Sequence, residues 1–141
     1  MIKNIMLGEE VTITTKNKVG ILADVSMMLA NQGINIEAAL GYEIGPMAKL
    51  LIITSANLVI VNELKKKKYK SVKETEVLLV DLENKPGALK VVATEMKENK
   101  IDIKYMYITP CTCANKGSSR MVLQTSDNER AMALLSKYVG E

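Results

Sequence analysis

Asn17 to Ile36 reads NKVGILADVSMMLANQGINI, and Asn84 to Ile103 reads NKPGALKVVATEMKENKIDI. Aligned without a gap, the two stretches share Asn, Lys, Gly, Leu, Val and two Ile at matching positions. An internal repeat constrains folding strongly, because both copies must form the same supersecondary unit and bury the same face. The matched Ile, Leu and Val are explained by that burial alone. Asn17/Asn84, Lys18/Lys85 and Gly20/Gly87 are not, since they sit in the polar segment before the first apolar-periodic residue.

Each copy changes period half-way. Leu22, Val25 and Leu29 recur at helical spacing, with Ile21 and Met28 widening the apolar face; Leu89, Val92 and Met96 do the same in the second copy. Pro86 suits a first helical position, where its missing N–H is no loss. Gly33 suits the left-handed residue that follows a helix end. The period then becomes two, at Ile34, Ile36, Ala38 and Leu40, and at Ile101, Ile103, Tyr105 and Tyr107, which reads as a strand with one buried face.

The flanks complete the unit. Strands are predicted at 10–16 and 76–83 before the helices, and at 49–55 and 119–126 after Gly-, Pro- and Asn-rich turns. Second helices are predicted at 56–68 and 127–138, and a closing strand near 69–73 in the first copy. The order is β-α-β-β-α-β, so the predicted fold class is α+β: two tandem ferredoxin-like units, antiparallel sheets with helices on one face. The units are expected at 1–74 and 75–141, the last strand of the second being short or missing. Residues 2–7 lie outside the repeat and are apolar enough to form a strand. They are expected to pair with an existing sheet, unless a second chain covers the open edge.

Composition narrows the function classes. The 141 residues include no histidine, which removes the commonest general acid–base group and metal ligand. Cys111 and Cys113 are the only cysteines, too few for a disulfide framework or a closed structural zinc site. No metal and no cofactor is expected. A net charge of +3 does not suggest a nucleic-acid partner. Lys65–Lys68 reads as the solvated, dipole-favoured end of a helix. No apolar run spans a membrane and no secretion signal opens the chain, so a cytoplasmic protein is expected. The carboxylates Asp24, Glu37, Asp81, Glu83 and Asp102 form no recognisable catalytic constellation, and the chain is expected not to be an enzyme.

The polar loop before each helix has binding chemistry of its own. A helix start exposes unpaired N–H groups and the positive end of the dipole, which favours a carboxylate by about 0.3–2 kcal/mol. Gly20 and Gly87 allow close approach to the backbone. Asn17 and Asn84 offer a donor and an acceptor. Asn35 and Asp102 open the next strand, beyond the far end of the helix, where they can meet the loop of a partner unit. Such a set suits an α-amino acid, whose carboxylate fits helix-start amides and whose ammonium fits Asn and Asp oxygens. A turn-forming role for Asn17 and Asn84 is the plainer alternative.

The pattern N-K-P-G-x-L, an amphipathic helix, then I-(N/D)-I resembles the ACT domain, and the resemblance covers residues 9–140. NKPGAL…KIDIKYMY is particularly similar to the second half of free-standing proteins made of two ACT domains. The resemblance implies a ferredoxin-like regulatory module that binds an amino acid at an interface between units. It implies that the loop Asn and the strand-start Asn contact a small amino acid, here Asn17 with Asn35, and Asn84 with Asp102. The helix-start residues Lys18, Val19, Gly20, Ile21, Lys85 and Gly87 complete the candidate set. Similar members carry a His two residues before the loop Asn; this chain has Thr15 and Leu82 there, which favours the first loop.

The expected function is a non-catalytic regulatory module that binds a small amino acid, small polar ones being the first to try, and acts on a separate partner enzyme. A homodimer is expected, with no nucleic-acid or membrane partner. The alternative is a ligand-free interaction module docking to an enzyme subunit.

Overall fold

The computed structural model describes residues 1–16, 19–67, 69–110 and 117–140. Its elements run β1 (Ile2–Lys16), α1 (Ile21–Asn31), β2 (Ile36–Ile44), β3 (Met47–Thr54), α2 (Asn57–Lys65), β4 (Ser71–Glu83), α3 (Ala88–Glu98), β5 (Ile103–Pro110), β6 (Ser118–Thr125) and α4 (Asn128–Leu135), with a short 3-10 turn at Ser136–Tyr138. Two compact units result: a repeat-1 unit of Glu9–Thr75, and a repeat-2 unit of Glu76–Glu141 together with Met1–Gly8.

The repeat-1 unit orders its strands β2-β3-β1-β4, all antiparallel where registers are defined, with Val11 opposite Ile52 and Gly41 opposite Leu50. Its core takes alternate residues of β1 (Val11, Ile13) and β3 (Leu50, Ile52) together with Val25 and Leu29 of α1 and Ile60, Val61 and Leu64 of α2. Both helices therefore cover the same face, as the period-two and period-3.6 patterns require. The repeat-2 unit has the equivalent order β5-β6-β4-β1. Leu78, Val80 and Leu82 of β4 and Met121 and Leu123 of β6 meet Ala88, Val92 and Met96 of α3 and Ala131 and Leu135 of α4. Both units carry a register shift at the same place, between Ile36 and Ala38 and between Ile103 and Tyr105.

Several details depart from the sequence reading. The strands expected near 69–73 and at 76–83 are one strand, β4, whose first part closes the repeat-1 unit and whose second part opens the repeat-2 unit. Division at 74/75 groups residues 1–8 with the first repeat; in the structure they lie with the second. They supply the strand its sequence lacks. Ile2 is buried in the repeat-2 core, the Glu83 N–H donates to the Met1 carbonyl at 2.9 Å, and Ile2 bridges Val139 in parallel. Leu22 and Leu89 are 56% and 44% exposed, so they do not belong to the buried helix faces. Those faces are set one residue earlier, by Ile21 and Ala88, which share a stripe with Val25/Leu29 and Val92/Met96 at i, i+4 spacing. Pro86 lies in the turn before α3, which begins at Ala88.

A second repeated motif escaped the sequence reading. Thr54-Ser55-Ala56-Asn57 and Thr125-Ser126-Asp127-Asn128 fix the start of α2 and α4 in the same way. Asn57 Oδ1 accepts from the Thr54 N–H (3.1 Å) and hydroxyl (2.7 Å), and its Nδ2 donates to the Glu9 carbonyl at 2.7 Å. Asn128 Oδ1 accepts from the Thr125 N–H (3.0 Å) and hydroxyl (2.8 Å), and its Nδ2 donates to the Glu76 carbonyl at 3.1 Å. The recurring T-S-x-N was the available signal.

Candidate functional site

The two helix starts are built alike. Gly20 (φ 94°) and Gly87 (φ 92°) immediately precede α1 and α3 in the left-handed region, where a Cβ is strained. Nothing lies within 4 Å of a Cβ built on Gly20. This glycine is therefore required by its backbone angle, a more specific reason than ligand access. The N-cap residue of each helix is a glycine, which has no side chain to cap with. The first N–H groups of a helix are the groups that can bind an anion. Val19 is fully exposed beside them, and Ile21 packs partly against the repeat-1 core. Asn17 and Lys18 lie outside the described residues.

A cleft of about 480 Å³ opens beside this loop, wholly within the repeat-1 unit. Thr15 at the end of β1 and Ile21 and Leu22 in the first turn of α1 form its loop-side wall. Ile13, Ala39, Gly41, Ala48 and Leu50 contribute apolar surface from the strands, and Tyr42, Glu43 and Lys49 lie along the β2–β3 hairpin. Thr15 is 7% exposed, and it borders the cleft.

Asn35 and Asp102 stand at the other end of their units. Eleven helical residues rise about 16 Å, so neither reaches its own unit's loop. Both are exposed, and their backbones are tied to the neighbouring strand ends: the Ser55 N–H donates to the Asn35 carbonyl at 3.3 Å, and the Ser126 N–H to the Asp102 carbonyl at 2.9 Å. Within a single unit the loop and strand-start residues are not brought together.

The repeat-2 loop is engaged with its own unit. The Asn84 N–H donates to the Gly117 carbonyl at 2.7 Å, while the Lys85 ammonium pairs with Glu83. The hydrogen bond from Lys85 lowers the Glu83 carboxyl below its ordinary value, helped by the nearby positive charges of the N-terminus and Lys3. Leu82, where the first repeat has Thr15, is buried in the core.

The remaining polar features have structural explanations. Asp81 and Arg120, opposite each other on β4 and β6, form a bidentate pair at 2.7 and 3.1 Å, the geometry of a structural cross-strand bond. Lys66 pairs with Glu63 at the end of α2. Among the described residues no group of three His, Cys, Asp or Glu side chains is placed to hold a metal. Cys111 and Cys113 lie outside those residues. Among the described residues no helix is long and apolar enough to cross a membrane.

The model of the ACT domain pair matches residues 6–138 of this chain. The chain belongs to the ACT domain pair family. ACT domains are regulatory, amino-acid-sensing modules, and the tandem ferredoxin-like architecture above is that of the family. Among solved structures, protein BT0572 from Bacteroides thetaiotaomicron is 27% identical, with a TM-score of 0.83 over 95% of this chain and 90% of that one. The ligand-free regulatory subunit of aspartate kinase from Thermus thermophilus is 12% identical, with a TM-score of 0.64 over 97% of this ACT pair and 98% of that chain. Aspartokinase III from E. coli, in complex with lysine and aspartate, is 19% identical, with a TM-score of 0.52 over 99% of this pair and 33% of that chain. At these last two identities the likeness is one of fold. No curated protein matches the sequence significantly.

Proposed function

We propose that this ACT pair is a non-catalytic regulatory module that binds an amino acid at the β1–α1 loop of its repeat-1 unit and acts on a separate enzyme. The observation that carries the reading is the cleft beside that loop, next to a helix start whose N-cap is a glycine and lined by the little-exposed Thr15. Asn17 and Lys18 supply the polar edge of the site in this reading. The position of Asn35, a helix length from the loop of its own unit, favours a ligand held between the loop of one copy and the strand start of another. A homodimer follows from that arrangement. A separate enzyme partner is supported by the Thermus thermophilus likeness, since that chain is itself a regulatory subunit. The protein is placed in the cytoplasm on the sequence reading.

A thermal-stability scan across the twenty amino acids tests this reading. At about 100 times its Kd, a bound amino acid stabilises the fold by roughly 2.7 kcal/mol, a rise of several degrees for a chain of this size. At least one amino acid is expected to give that rise. No response from any of them would favour ligand-free docking to an enzyme subunit.

A further inference from the structure

The two repeats differ where the cleft lies, and the difference bears on what the cleft holds. Thr15, Ala39 and Gly41 line it in the repeat-1 unit. At the matching positions the repeat-2 unit has Leu82, Met106 and Ile108, each larger. The strand registers confirm the match, since Gly41 faces Leu50 on β3 and Ile108 faces Met121 on β6. Leu82 is buried in the repeat-2 core and Met106 packs against it. One fold therefore carries larger side chains at these positions in one copy and leaves a cleft beside them in the other.

We infer that the repeat-1 cleft receives the side chain of a branched aliphatic amino acid, of valine to leucine size, whose charged head group lies at the loop. This rests on the reading that the loop binds an amino acid, and it names the class. The walls are mostly hydrocarbon: Ile13, Ile21, Leu22, Ala39 and Leu50 offer no hydrogen-bonding side chain. Against those five residues a polar ligand side chain would lose its water without finding partners. The volume, about 480 Å³, falls within the ~300–1,000 Å³ of small-molecule sites. The polar groups are few, as orientation of a zwitterion requires. Thr15 is 7% exposed and borders the cleft, and Glu43 and Lys49 bring charges of both signs to its rim. The inference reverses the expectation that small polar amino acids come first.

The test is calorimetric titration of the full chain with L-valine, L-leucine and L-isoleucine, set against L-serine, L-aspartate and L-lysine. Burying an aliphatic side chain predicts that the best of the first three binds roughly 10- to 150-fold more tightly than serine. Gly41→Val should weaken that binding at least tenfold while leaving the unliganded melting temperature close to wild type. A Cβ at 41 meets only Leu50 Cδ1 at 3.5 Å and the Lys49 carbonyl at 4.0 Å, ordinary contacts. Ala39→Met, which writes the repeat-2 residue into the same wall, replaces it if Gly41→Val lowers the melting temperature. Tighter binding of serine, aspartate or lysine would overturn the aliphatic class and leave the regulatory reading standing. Unchanged aliphatic binding in a filled, folded variant would place the ligand outside the cleft. No binding of any amino acid would remove both readings.

Discussion

Lys100 follows the C-cap of α3 with φ 55°, the one described non-glycine residue in the left-handed region. Its counterpart after α1 is Gly33, φ 69°. Both close the same C-terminal motif: the Gly33 N–H donates to the Ala30 carbonyl and the Ile34 N–H to the Leu29 carbonyl, while the Lys100 and Ile101 N–H groups reach Lys97 and Met96. A left-handed L-residue costs about 1–2 kcal/mol, part of which glycine returns as chain entropy. Lys100→Gly is therefore expected to stabilise the protein by about 0.5–1 kcal/mol, a rise of roughly 1–4 °C in melting temperature; a fall would contradict this account of the motif. At this scale the sequence was informative wherever a residue has one dominant use. Gly33 was legible for that reason. Leu22 was not, because an apolar residue at a helix start satisfies a stripe drawn from position 21 or 22 equally well, and only the sheet beneath decides between them.

At the scale of elements, β1 and β4 each serve two units, and each half has its own consequence. The first half of β1 completes the repeat-2 sheet through Ile2, buried with Leu78 and Val80. Ile2→Ala should cost about 2–5 kcal/mol by equilibrium unfolding; a cost below 1 kcal/mol would mean the N-terminal strand is not part of that core. In the repeat-1 unit, Glu74 on β4 shares a hydrogen bond with Glu9 on β1, which together with desolvation and the Glu9 charge raises the Glu74 carboxyl above its ordinary 4.5. A raised carboxyl means that folding favours the protonated form. Its stabilising contribution is full below pH 4.5 and is lost as the pH rises through the folded-state value. Glu74 is exposed, so the effect is small, under about 1 kcal/mol. Glu74→Gln should flatten the stability profile just above pH 4.5 and leave it unchanged below; an identical slope in both proteins would contradict the assignment. The helices and inner strands were legible because their periods are clean. The fusion of two strands into β4 was not: the polar SVKETE carries little apolar alternation to join the strand expected near 69–73 to the one at 76–83. The use of residues 2–8 by the second repeat was legible only as an unpaired apolar strand beside a unit that lacked one.

At the scale of the whole molecule, the ACT pair has two loops of one design and a different chemistry beside each. The repeat-1 loop adjoins an open cleft; the repeat-2 loop is tied down by Gly117 and Glu83, with Leu82 buried behind it. The repeated Asn, Lys and Gly were visible in the sequence, as was the change from Thr15 to Leu82. The cleft was not, because its walls come from four elements and its space depends on Ala39 and Gly41 being small at positions that alternation alone marks only as strand. The central claim is that the first loop, not the second, holds the amino acid. It is tested most directly by titrating the stabilising amino acid into wild-type protein, Asn17→Ala and Asn84→Ala. The account predicts one ligand per chain, binding lost or weakened at least tenfold in Asn17→Ala, and binding unchanged in Asn84→Ala. Full binding by Asn17→Ala, with loss only in Asn84→Ala, would contradict it.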